Sequence, residues 1–148
     1  MHAIHAVRKE IWQARLVARH QDEHFIPTQD RSLTGVWIAP DDATIEKGCL
    51  WIMPGSHKAG VLYPVCLPVS QEYDGAPEAF NFPHTPEEAI PVEVSKGSAV
   101  IFHGYLLHFS LKNRAKEKYR RALVHHYMSA ESLLPWDCGG QIPVTRES

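Results

Sequence analysis

His20-Gln21-Asp22-Glu23-His24-Phe25 stands where the sequence stops reading as helix and starts reading as sheet. In extended backbone, residues i and i+2 share a face about 6.6 Å apart along the chain. The imidazole of His20 and the carboxylate of Asp22 can therefore bend towards one ion, as two ligands of a metal site.

Two donors hold a divalent cation poorly, and a third must come from elsewhere in the chain. His108 is the best placed, directly after the apolar run Ser98-Ala99-Val100-Ile101-Phe102. Two histidines and one carboxylate on one face of an octahedral ion, with the opposite face open, suit non-haem Fe(II) and O2 chemistry. With metal–ligand bonds of about 2.1 Å, the donor atoms of such a site should lie roughly 3 to 4 Å apart.

The rest of the composition narrows the setting. The chain has 148 residues, 44% of them hydrophobic, enough for one domain (1–148) with its own core. Net charge is −2 and no run of Lys or Arg occurs, so nucleic acid is not an expected partner. Cys49, Cys66 and Cys138 form no CxxC pair, which suits a reducing compartment and buried free thiols. No apolar stretch approaches the ~20 residues of a membrane span. The cytoplasm is the expected location.

Along the chain, Ile4, Val7, Ile11 and Ala14 recur at helical spacing, predicting a short N-terminal helix. Phe25-Ile26-Pro27 reads as extended. Apolar segments at Leu33 to Ala39, Cys49 to Met53, Val61 to Val65, Pro91 to Val94, Ser98 to Phe102, His108 to Leu111 and Arg120 to Met128 read as strands. Residues 68–91, rich in Pro, Gly, Asp and Glu, read as a surface loop of the kind that covers sites, and 137–148 as a tail. About seven short strands with no helices between them predict an all-β sandwich or jelly roll.

Three stretches closely resemble the phytanoyl-CoA dioxygenase family. They are the opening hexapeptide, Gly35-Val36-Trp37 through Pro40-Asp41-Asp42 and Gly48-Cys49-Leu50 to Pro54-Gly55-Ser56-His57-Lys58, and Phe102 to Ser110 followed by Asn113, Arg120, Arg121 and Ala122. The likeness runs from about Arg19 to Trp136 and leaves 1–18 unmatched. It implies a double-stranded β-helix, a cupin-like jelly roll, incomplete at its N-terminal end. It also implies Fe(II) held by His20, Asp22 and His108, with 2-oxoglutarate and O2 as co-substrates and hydroxylation of a small organic substrate. In the family's pattern Arg120 receives the distal carboxylate of 2-oxoglutarate, because a guanidinium offers two parallel N–H groups to a carboxylate. Trp37 and Phe102 would wall the site, and His24, Phe25 and His103 fall on the substrate side.

The residues alone leave alternatives open. His103 rivals His108, and the odd interval between them puts the two on opposite faces unless the chain breaks at Gly104. Arg120 and Arg121 point opposite ways on one strand, and spacing does not choose between them. His125 and His126 split between core and solvent. His20 and His24 do not make a zinc-peptidase motif, since Glu23 is not adjacent to the first histidine and Phe25-Ile26-Pro27 disfavours a helix, and Gly55-Ser56-His57 reads as turn chemistry. Only 19 residues precede His20, so a truncated form is expected, with an open sheet edge through which it would pair as a homodimer. The competing functions are an inactive metal-binding remnant and a cupin-like metalloprotein that does not use 2-oxoglutarate.

Overall fold

The apolar runs become strands wherever two of them can share a buried face. In the computed structural model the described residues are 2–9, 17–67, 77–115 and 119–134. Among them are β1 (His2–Lys9), β2 (Val17–His20), β3 (Thr34–Ile38), β4 (Leu50–Ile52), β5 (Val65–Cys66), β6 (Glu78–Ala79), β7 (Ile90–Val92), β8 (Ala99–His103), β9 (His108–Ser110) and β10 (Ala122–Met128). One sheet has the order β1-β10-β3-β8 and the other β2-β9-β4-β7, while β5 and β6 form a separate two-stranded ribbon. Every pairing is antiparallel. Apart from the β4–β7 step, which the ribbon interrupts, successive strands alternate between the two sheets. That winding is the double-stranded β-helix, or jelly roll.

The core lies between the sheets. Trp37 of β3, Phe102 of β8 and Ala122 of β10 meet Leu50 of β4, with Cys49 and Leu106 filling between them. Burying the indole and the phenyl ring contributes about 2–3 kcal/mol apiece. A second cluster, Met53, Tyr63, Ala79 and Leu107, packs under the β5–β6 ribbon.

Two expectations are corrected here. The short N-terminal helix is absent: His2–Lys9 is a strand whose backbone pairs with β10 from His2↔Met128 to Lys9↔Ala122. Local apolar spacing favours helix, but pairing along the whole of β10 overrides it. The same strand lies at one edge of its sheet, beside β10. Phe25-Ile26-Pro27 is likewise not extended, because a 3-10 turn, Asp22–His24, precedes it and the backbone N–H groups of Phe25 and Ile26 both donate to the carbonyl of Asp22. Cys49 is buried and Cys66 exposed, and neither is in a disulfide. Residues 10–16, 68–76 of the expected loop, Cys138 and the tail 137–148 lie outside the described residues.

Candidate metal centre

The site is built at the end of β2. Gln21 is extended (φ −121, ψ 126), so Asp22 emerges on the same side as His20 before the 3-10 turn begins. Its neighbours face the other way and are pinned. Gln21, 1% exposed, donates from Nε2 to the carbonyls of Val61 and Tyr105 and accepts from the Tyr63 N–H. Glu23, also buried, accepts at Oε1 from the N–H and hydroxyl of Thr28. The backbone that aims Asp22 is therefore held from both sides. β9 pairs with β2 so that His108 stands directly opposite His20, with ring centroids 4.2 Å apart.

Both rings are fixed in tautomer. Nδ1 of His20 lies 2.7 Å from the Ala18 carbonyl and Nδ1 of His108 lies 2.9 Å from the Leu106 carbonyl. A carbonyl only accepts, so each Nδ1 carries the proton and each Nε2 presents a lone pair. Nε2 of His20 is 3.4 Å from Oδ1 of Asp22, and Nε2 of His108 is 3.6 Å from the same oxygen. One donor atom from each of the three residues lies within 4.8 Å of the others. Three acceptors thus converge on one point and, in these tautomers, repel one another unless a cation lies among them. The donor set fits a divalent metal with facial N, N, O ligation.

The charge states agree. Burial pushes the Asp22 carboxyl up, but the positive field of His108 and contacts from His126 and His20 outweigh it, and the group titrates far below the usual carboxylate range. Burial lowers His108 to about 4, helped by the neighbouring His20 and opposed by Asp22. At neutral pH the centre therefore holds one carboxylate and an uncharged His108.

The centre opens into a cavity of about 280 Å³ between the sheets, lined by Trp37, Phe102 and Phe25 among other apolar side chains and reached by Arg120. Arg120 is 6% exposed. Its Nη2 donates to the Ser110 hydroxyl at a long 3.5 Å, and among the described residues its Nε has no partner and no carboxylate pairs with it. Burial lowers its affinity for its proton from the ordinary guanidinium value. Arg121 points outward, donating from Nε and Nη2 to the two carboxylate oxygens of Asp41.

Of the residues expected at the site, His20, Asp22, His108, Arg120, Trp37 and Phe25 line this one cavity. His24 is exposed and sets its ring edge-on to Phe25, away from the wall. His103 is exposed at the end of β8, where its Nδ1 accepts from the Tyr105 N–H and its ring stacks on His57. The chain does break at Gly104–Tyr105, and this break lets β9 carry His108 into the other sheet. His126 has no assigned role in the sequence reading, yet it is buried and its Nε2 lies 2.9 Å from Oδ2 of Asp22. A period-two signal from Arg120 was available, since 120, 122, 124 and 126 all line the cavity.

Comparison with known proteins places this geometry. The family model for phytanoyl-CoA dioxygenase (PhyH) matches residues 1–122, beginning earlier than Arg19 and ending before Trp136. Phytanoyl-CoA dioxygenase 1 of Oryza sativa subsp. japonica is 37% identical over 116 residues, 78% of this chain and 40% of its own length. Phytanoyl-CoA dioxygenase domain-containing protein 1 of Rattus norvegicus is 33% identical over 133 residues, 88% of this chain and 45% of its own. This chain thus spans less than half the length of these two curated relatives. EvdO2 from Micromonospora carbonacea var. aurantiaca, solved in complex with 2-oxoglutarate, superimposes with a TM-score of 0.68 at 26% identity. The match covers 89% of this chain and 52% of that one. With a family match over most of its length, a jelly roll and a His-Asp-His centre between its sheets, the chain belongs to the phytanoyl-CoA dioxygenase family.

Proposed function

We propose that this chain provides the iron- and 2-oxoglutarate-binding core of a dioxygenase that hydroxylates a small organic substrate. His20, Asp22 and His108 are the metal ligands, and Arg120 anchors the distal carboxylate of 2-oxoglutarate. The reading is carried by Arg120: a buried guanidinium with no carboxylate partner among the described residues, facing the same cavity as three converging metal donors. An unpaired buried cation is costly. A dicarboxylate that touches the metal at one end and the guanidinium at the other would relieve both ends at once, and the structural relative EvdO2 has been solved with such a molecule.

When bound, Fe(II) and 2-oxoglutarate supply the O2 chemistry, in which the keto acid becomes succinate and CO2 while one oxygen atom enters a substrate C–H bond. This chain's residues set the conditions. The Ala18 and Leu106 carbonyls hold the two imidazoles with Nε2 towards the metal. Asp22 offsets part of the metal's charge. Arg120 fixes the co-substrate's direction by paired N–H donation. Trp37 and Phe102 close the cavity to water, and Phe25, 39% exposed at its mouth, faces the incoming substrate.

The expected result is a weak visible charge-transfer band when Fe(II) and 2-oxoglutarate are added without air, followed by succinate once O2 enters. Iron binding with no band refutes the co-substrate site, and a band with no succinate across a broad substrate screen refutes turnover. The same reading places the chain in the cytoplasm, away from nucleic acid, as a homodimer joined along a sheet edge. The location rests on cysteines without a paired motif, and the dimer on edge strand β8, where Ile101 is 70% exposed. Sedimentation at micromolar concentration tests the dimer. Among the described residues no helix is long and apolar enough to cross a membrane.

A further inference from the structure

His126 is the one histidine at the centre whose ring has no fixed role. It sits on β10, in the sheet opposite His20 and His108, and is 8% exposed. Among the described residues neither ring nitrogen has an aligned hydrogen bond, and the same is true of Oδ2 of Asp22, although Nε2 and Oδ2 are only 2.9 Å apart. The two atoms are close in distance and off-axis in angle, and a turn about χ2, a soft torsion in histidine, brings the N–H onto the oxygen. Leaving such groups unpaired in a buried place is costly. The chain makes room for this contact. Gly35 is the cross-strand partner of His126, and a Cβ there would come within 3.1 Å of Oδ2 and 2.6 Å of the Phe102 ring.

The two oxygens of Asp22 thus face different groups. Oδ1 points to the two ligand imidazoles, and Oδ2 points across the sandwich to His126. We propose that His126 is a positioning residue that holds Oδ2 by N–H donation, so that Asp22 offers the metal one oxygen and a further coordination position stays open. This rests on the metal reading above. Without His126, Oδ2 is free to swing onto the metal, and a carboxylate bound through both oxygens takes a position that co-substrate or O2 needs. His126 is not itself in the group of converging donors.

Mn(II) serves as the probe, read by affinity and by water-proton relaxation per bound ion. Mn(II) binding to the wild-type protein comes first, and its absence sinks the metal reading together with this inference. Given binding, H126L, which keeps bulk and loses the donor, is expected to bind Mn(II) about 10- to 100-fold more weakly. Its relaxation should fall by about a third, one of roughly three exchanging waters being lost. H126Q, which restores an N–H donor, should return both values to within about threefold of wild type. Should H126L not fold, H126N takes its place, because its amide stops short of Oδ2. Unchanged affinity and relaxation in the donor-free variant overturn the inference while leaving the metal reading intact. So does failure of H126Q to rescue. A rise in relaxation above wild type also overturns it, by showing that His126 is a ligand.

Discussion

The two ends of the cavity solve the burial of polar groups in opposite ways. At the metal end the ligand residues and their neighbours are tied into the chain: the Nδ1 atoms of His20 and His108 on carbonyls, Gln21 on three backbone groups, Glu23 on Thr28. At the other end Arg120 has, among the described residues, only a long contact to Ser110. A site whose ligand rings are held by backbone carbonyls keeps their direction when empty, whereas a buried cation without a counter-ion is held in place at a cost. On the function proposed above, the first end receives a metal and the second an anion that arrives from outside.

The sharpest way to break that contrast is at Asp22. Removing the only carboxylate among the three donors leaves two imidazoles, and Asp22→Ala should lose Fe(II) or Co(II) stoichiometry altogether, with affinity down by more than about 100-fold. Equilibrium dialysis decides it. Full stoichiometry in the folded variant would remove the centre from this molecule.

Arg120 is the next test, because the two ends should separate cleanly. Arg120→Ala should leave metal stoichiometry unchanged and weaken 2-oxoglutarate by about 100-fold, the 2–5 kcal/mol range for truncating a buried charge pair. The comparison sharpens with Arg120→Leu in the absence of ligands. If the guanidinium is held unpaired, its replacement by an apolar side chain should stabilise the apo protein by about 1 kcal/mol or more, seen as a higher urea midpoint. A lower midpoint would mean that Arg120 has a structural partner.

Acid probes the metal end alone. His108 titrates at about 4 when folded, against 6.5 ordinarily. Between these values the unfolded chain binds the extra proton, so stability rises with pH across the window and is lost as pH falls from 6.5 towards 4. Asp22, held below its ordinary range, adds a loss of the same sign below about 4. The His108 contribution alone should cost the metal-free protein about 2 kcal/mol between pH 7 and pH 5. Urea melts at the two values check it, and a flat profile would mean that His108 is not buried in its neutral form.

How much of this was legible in the sequence depends on whether a signal is local. The His20-x-Asp22 spacing works because Gln21 is extended, and most of the expected strands fell on apolar runs that pack between sheets, whereas of Val61 to Val65 only Val65 is in a strand and Val61 and Leu62 are exposed. β1 was not legible, since Ile4, Val7, Ile11 and Ala14 suit a helix as well as a strand and only the distant β10 decides. The turn after Asp22 was missed for the same reason: its shape is held by Gly104, whose carbonyl accepts from the Glu23 N–H. β5 and β6, two residues each, are too short to carry any periodicity. His126 was legible in principle, because once Arg120 is placed inward the parity of one strand places His126 inward too.

The same parity turns Arg121, the residue next door, outward, and the smallest effect is expected there. Arg121 is 52% exposed at its side chain and grips Asp41, whose carboxyl it holds down to about 2, chiefly by hydrogen bonding. The pair is bidentate but solvated, and such pairs contribute about 0.2–1 kcal/mol. Arg121→Ala should therefore lower stability by no more than that, and added salt should shrink the difference between variant and wild type. Because the Asp41 pKa is depressed, the contribution is present above about 4 and disappears as pH falls through 2. Affinity for 2-oxoglutarate should not change, since the side chain lies on the outer face of the sheet. A loss of binding in Arg121→Ala comparable with that in Arg120→Ala would mean that the strand is turned over, and with it every inward assignment from Arg120 to His126.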